Sequence, residues 1–177
     1  MHSTTSKELG ELITERLVLR SWTAAEVAAV VSDGSRPADW AEDFPAEGDR
    51  VIAGLLDDNP AWYGPYGHRL IVERDSGLLV GSIGLFWPPT EGVLEIGYGV
   101  VASRRGRDYA AEATRALSAL ALTVPGVHTV AAAAESSNPA SIRVLEKAGF
   151  EREDTPAGPV EGVVRFRLTV LPDHMAQ

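Results

Sequence analysis

The sequence predicts one mixed α/β domain in which antiparallel strands come first and a β-α-β-α unit follows. Three observations predict it. Strand-like runs separated by turn residues dominate positions 69–101. Helical apolar spacing governs 109–123 and 139–147, and a short apolar run at 127–134 separates those two helices. A length of 177 residues allows one proper core and is short for two, so a single domain over 1–177 is expected.

Residues 12–22 read as the first strand, with Leu17 and Leu19 on one face and Arg16, Val18 and Arg20 on the other. Thr23 and Glu26 form a capping-box pair ahead of Val27 and Val31, and that helix is expected to stop near Asp33-Gly34. Gly, Pro, Asp and Trp make 34–48 a loop. A second helix covers 49–56, ended by Asp58-Asn59-Pro60. Strands follow at 69–74 and 78–86, joined by Asp75-Ser76-Gly77, and a third runs from 93 to 101. In the helix at 139–147, Asn138 is the N-cap, Pro139 takes the first position and Gly149 follows the end. A last strand closes the domain at 161–171.

Hydrophobic and charged fractions of 45% and 23% are those of a soluble globular protein. The absence of Cys excludes a disulfide, a thiolate metal site and a cysteine nucleophile, and it fits a reducing compartment. The first twelve residues lack the apolar run of a signal peptide, and no stretch approaches the roughly 20 apolar residues of a membrane span. The expectation is a cytoplasmic protein with no membrane partner. A net charge of −9 argues against a sequence-independent grip on nucleic acid. No two His stand at metal-ligand spacing, so no metal site is expected.

Charge is uneven along the chain. Acidic residues crowd 33–58, whereas Arg104, Arg105, Arg107 and Arg115 face only Asp108 and Glu112. The strand ending at Val101 feeds this basic turn, and a helix begins at Tyr109. The first N–H groups of a helix lack internal partners and carry partial positive charge, and guanidinium pairs bidentately with phosphate. The turn therefore reads as an anion site. Neither GxxxxGK[ST] nor GxGxxG is present.

The run Arg105-Gly106-Arg107-Asp108-Tyr109-Ala110 resembles the acyl-CoA signature [QR]-x-x-G-x-[GA] of the GNAT superfamily. Three further runs resemble its RimJ/RimL-like branch: Thr14-Glu15-Arg16-Leu17-Val18-Leu19-Arg20, Glu95-Ile96-Gly97-Tyr98-Gly99-Val100, and 138–150 from Asn138-Pro139-Ala140-Ser141 to Ala148-Gly149-Phe150. They stand in the family's order and cover most of the chain. The resemblance implies a GNAT fold, with a mixed, mostly antiparallel sheet of about seven strands flanked by four helices. It implies an N-acetyltransferase that moves acetyl from acetyl-CoA to a primary amine through a tetrahedral intermediate. The amine belongs to a small molecule or a protein N-terminus, and a homodimer accords with family habit. A non-catalytic acyl-CoA-binding module on the same fold is the alternative.

Site residues follow from the resemblance. Val100, Val101, Arg105, Gly106, Arg107, Asp108, Tyr109, Ala110, Asn138 and Ser141 would contact the acyl-CoA, with backbone N–H groups near Val100 and Val101 holding the oxyanion. Asp108 departs from the signature's glycine. Its carboxylate would repel the pyrophosphate, and Arg104, Arg105 or Arg107 is expected to pair with it. Glu95 is the candidate base. Strand alternation places it on one face with Gly97 and Gly99, opposite Leu94, Ile96, Tyr98 and Val100, and the role calls for partial burial or a water relay. Leu145 stands where many relatives carry an acidic tyrosine, which leaves Ser141 beside the sulfur. Trp40 and Phe44 read by default as packing; beside Asp39, Glu42 and Asp43 they would also suit a pocket for an ammonium.

Overall fold

The computed structural model describes residues 10–32, 36–153 and 162–170. Residues 12–22 form two strands, not the one expected. β1 (Glu11–Ile13) turns back antiparallel on β2 (Leu17–Ser21), with Leu12 opposite Leu19. Thr14 Oγ1 makes the reversal by accepting the Leu17 N–H at 3.0 Å, and Glu112, distant in sequence, accepts from Thr14 Oγ1 and the Arg16 N–H at 2.6 and 2.8 Å. A tertiary contact thus interrupts an alternation that is locally continuous.

Helix α1 (Ala24–Ser32) starts on the expected capping box. Thr23 Oγ1 accepts the Glu26 N–H at 3.1 Å, and Glu26 accepts the Thr23 N–H at 3.0 Å. The stop expected at Asp33-Gly34 lies outside the described residues. Helix α2 (Glu47–Leu56) begins two residues earlier than expected, because the Asp49 carboxylate accepts the Ala46 N–H at 2.8 Å and fixes the first turn. The loop ahead of α2 is pinned to the sheet: Ala41 N–H donates to Leu79 O, and Leu79 N–H to Asp39 O. Trp40 and Phe44 in that loop are buried in the core, edge to face at 5.3 Å.

Strands β3 (His68–Glu73), β4 (Leu79–Leu85) and β5 (Val93–Val100) continue the antiparallel meander. The β3–β4 turn needs Gly77, which sits at φ 75°. Helix α3 (Tyr109–Ala121), β6 (Thr129–Glu135), α4 (Pro139–Lys147), β7 (Glu151–Arg152) and β8 (Val163–Thr169) complete the described elements. Helix α4 keeps its expected bounds. Asn138 Oδ1 accepts the Ser141 N–H at 3.2 Å, and Gly149 at φ 94° lets Phe150 N–H reach back to Leu145 O.

The sheet order is β1-β2-β3-β4-β5-β6-β8-β7, eight strands against about seven expected. β5–β6 is the one parallel pairing between two of these strands, and it lasts only from Val93↔Thr129 to Glu95↔Ala131. Beyond Glu95, β5 stays with β4 as far as Val100 and β6 stays with β8 as far as Glu135. A wedge opens between them. Leu94, Ile96 and Val100 on one face of β5 are buried in the same core as Ala113, Leu117 and Ala121 of α3. Burying each larger aliphatic side chain contributes about 1.5–3 kcal/mol, which holds α3 across the wedge. No described helix is long and apolar enough to cross a membrane.

Candidate active site

The wedge frees backbone donors. Phe86 N–H donates to Glu95 O and Val101 N–H to Val80 O. Antiparallel alternation then points the intervening Tyr98 and Val100 N–H groups away from β4, into the wedge.

Beside it lies a cleft of about 500 Å³ between the start of α3 and α4. Asp108 is the N-cap of α3 at φ 61°, a left-handed conformation that Asp tolerates better than most residues. Its side chain makes no cap bond and turns to Lys147 Nζ at 2.7 Å. The partner is therefore the lysine of α4 and not one of the arginines expected from the turn. The helix-start N–H groups are left uncapped, and Arg104, Arg105, Arg143 and Lys147 line the same cleft. The Lys147 ammonium holds the Asp108 carboxyl below the usual carboxylate range, so it is charged at neutral pH.

Glu73 organises the turn from behind. Its carboxylate, with a side chain only 5% exposed, accepts from Tyr109 OH at 2.7 Å, Arg107 Nη1 at 3.1 Å and Ser76 Oγ at 2.6 Å, and lies 3.4 Å from Arg104 Nε. Burial pushes this carboxyl up, but the hydrogen bonds from Ser76 and Tyr109 and the Arg104 charge outweigh it and hold it low. At the inner end of the cleft, Tyr98 Oη lies 2.8 Å from Ser141 Oγ and 3.2 Å from Ser141 O. Burial pushes the Tyr98 phenol up, so it keeps its proton.

A second cavity of about 430 Å³ lies under α2. Its floor follows from the register. His68, Gly84 and Gly97 stand opposite one another on successive strands, and Ser82 stands opposite Gly99. Opposed residues share a face, so this is the face of Gly97 and Gly99. Asp49, 3% exposed, reaches down from α2 and accepts a hydrogen bond from Ser82 Oγ. Burial pushes the Asp49 carboxyl up against the lowering effect of the Ser82 and Ala46 donors. The His68 ring, 1% exposed, sits between Trp62 at 4.8 Å and Phe86 at 4.9 Å, and its Nε2 has no hydrogen-bond partner. Burial lowers its pKa to about 4, so it is neutral. The two cavities share Tyr98, Gly99, Val100 and Arg105.

The domain family described as "Acetyltransferase (GNAT) domain" matches residues 16–151, most of the chain. The chain belongs to the GNAT acetyltransferase family. One relative of this GNAT protein, an uncharacterized N-acetyltransferase, YjdG, of Bacillus subtilis (strain 168), is 37% identical over 82 residues. That match covers 46% of this chain and 49% of the relative, about half of that protein's length. Among solved structures, a GNAT-family acetyltransferase from Bacillus anthracis superposes with TM-score 0.65 at 20% identity, covering 90% of this chain and 98% of that one. A spermidine N-acetyltransferase (SpeG) chimera from Vibrio cholerae and hSSAT gives TM-score 0.60 at 16% identity, covering 88% and 96%. At such identities the likeness shows the fold.

Within this GNAT acetyltransferase, Val100, Arg105, Gly106, Asp108, Tyr109, Ala110, Asn138 and Ser141 line the first cleft together. Three expected site residues do not join them. Val101 is buried behind the strand with its N–H spent on Val80. Arg107 turns to Glu73. Glu95 lines neither cavity; its side chain is 63% exposed and pairs with Arg165 at 3.7 Å, so the partial burial expected of a base is absent. Nor do the acidic loop residues meet the aromatics in a pocket: Asp43 accepts from Ser103 N–H and Oγ at 2.8 and 2.6 Å, while Trp40 and Phe44 are core. Sequence reasoning missed Tyr98, Arg143 and Lys147 in the cleft, and Asp49, His68 and Ser82 in the second cavity. Arg143 and Lys147 carried a signal, since helical spacing puts them one turn apart on α4.

Proposed function

We propose that this protein transfers an acetyl group from acetyl-CoA to a primary amine by direct attack through a tetrahedral intermediate. The observation that carries this reading is the meeting of a cationic cleft and a separate, mostly apolar cavity at Gly99 and Val100, beside unpaired strand amides. The uncapped start of α3 with Arg105, Arg143 and Lys147 suits the pyrophosphate of acetyl-CoA. Asn138, in the same cleft, would meet the pantetheine arm. The donor supplies a thioester carbonyl, and the Val100 N–H is the oxyanion donor beside it. Ser141, backed by the Tyr98 hydroxyl, gives the departing thiolate a proton. Glu95 is exposed and pairs with Arg165, so as a base it would work only through a water relay.

Acetyl-CoA titration calorimetry and thiol release in the presence of amines test the reading together. Ser141→Ala should slow transfer about tenfold, a modest effect because a thiolate is a fair leaving group, with acetyl-CoA affinity unchanged. Binding of acetyl-CoA without thiol release to any amine would favour a non-catalytic acyl-CoA-binding module, the reading that the Asp108 carboxylate supports.

Asp108 should weaken the donor site. Its charge persists at neutral pH and draws Lys147 away from an incoming phosphate. Asp108→Gly should bind acetyl-CoA severalfold more tightly by calorimetry, with the gain shrinking as salt rises. Equal or weaker binding would show that Asp108 does no harm.

A further inference from the structure

The second cavity carries one acid, Asp49, and one permanent cation, Arg105, among its lining residues. Ser82 fixes Asp49 above the sheet opposite Gly99, where the two cavities meet. His68 lines the same cavity, its ring set between those of Trp62 and Phe86. We infer that the acceptor is a small primary monoamine on an aromatic or alkyl body, with its nitrogen at Asp49 and its body against Ile52 and Phe86, and that Asp49 is the catalytic base. The inference rests on the proposed acetyl transfer and names the acceptor of that site.

Charge argues for one ammonium only. A polyamine would bring a second cation to apolar walls or to Arg105, and a buried charge without a partner is costly. His68 adds no counter-charge, since it is neutral. A peptide acceptor would bring several amide groups to walls that Val51, Ile52, Ile83 and Phe86 make largely apolar, and a buried amide without a partner is costly. Size agrees, because about 430 Å³ is in the range of small-molecule sites.

The ammonium gives one proton to the Asp49 carboxylate, and the freed lone pair forms the N–C bond at the thioester carbonyl. The C–S bond breaks with its electron pair on sulfur. Ser141 gives that sulfur its proton and takes the second nitrogen proton in return, and Asp49 returns its proton to water.

The test measures thiol release by the full-length protein with acetyl-CoA and phenethylamine, hexylamine, spermidine or an alanyl peptide. Expected is kcat/KM for the two monoamines about tenfold or more above spermidine and the peptide. Asp49→Asn keeps an acceptor for the Ala46 N–H and gives the Ser82 hydroxyl, which can turn to accept, an amide donor, and it should lower phenethylamine turnover about 100-fold at unchanged acetyl-CoA affinity. Ile52→Asp, adding a second carboxylate, should raise spermidine relative to phenethylamine. Preference for spermidine or the peptide, or full turnover by Asp49→Asn, would overturn the inference. If no amine is turned over, phenethylamine is titrated into the CoA-saturated protein. Binding that Asp49→Asn abolishes would overturn acetyl transfer, and with it the catalytic role of Asp49, and uphold the monoamine site; no binding would overturn the monoamine site as well.

Discussion

Replacing Gly81 by alanine will lower the melting temperature by about 6–12 °C, equivalent to about 3 kcal/mol in a chain of this size, and will abolish acetyl transfer. A Cβ on Gly81 would fall inside contact distance of the Gly99 carbonyl oxygen and press on Val100 Cα. Both obstacles are backbone, so no side chain can swing aside. Relief requires β5 to move at Gly99–Val100, the segment common to the two cavities. Thermal melts followed by circular dichroism measure the first effect and thiol release the second. Gly99→Ala is the contrast, because a Cβ there meets nothing within 4 Å. It should fold as the parent does and lose activity only, by filling the space where the cavities join. A Gly81→Ala protein as stable as the parent would show that the β4–β5 pair can open without penalty.

Glu73→Gln should destabilise the protein by about 2 kcal/mol at neutral pH, at the low side for a buried charge because Arg107 is half exposed. Two arginines lose their buried counter-charge, and Tyr109 OH keeps only a neutral acceptor. The pH dependence has a definite sign. The Glu73 carboxyl is held below its ordinary value in the folded protein, so its contribution is present above the unfolded pKa of about 4.3. It is lost as pH falls through the lower folded value. Urea unfolding between neutral and acid pH should therefore show parent and variant far apart at neutrality and converging in acid. A constant gap across that range would assign the effect to packing and not to charge.

Local features of this fold are legible in the sequence because their partners are a few residues away. The Thr23–Glu26 box, the Asn138-Pro139 start of α4 and the strand-turn-strand around Gly77 are each closed by neighbours along the chain. The division of β1 from β2 is not legible, because Glu112 accepts from Thr14 and Arg16 across nearly a hundred residues. The site divides in the same way. Its first cleft follows largely from a contiguous run, 105–110, and a helix start at Asn138–Ser141. The second cavity joins Asp49, His68, Ser82 and Gly99, which only sheet register brings together. The exposure of Glu95 is not legible for a related reason: alternation identifies its face, but burial on that face depends on α2, whose cavity takes in Gly97 and Gly99 and not Glu95.

The narrow shared border has a consequence for how such a protein can vary. Positions lining the second cavity come mainly from 46–86, and those of the anion cleft from 99–147, with Tyr98, Gly99, Val100 and Arg105 between them. The domain is modular at a single seam. On the proposed reading, substitutions on α2, β3 or β4 would re-specify one reactant and leave the grip on the other intact, and only changes at the seam would have to satisfy both.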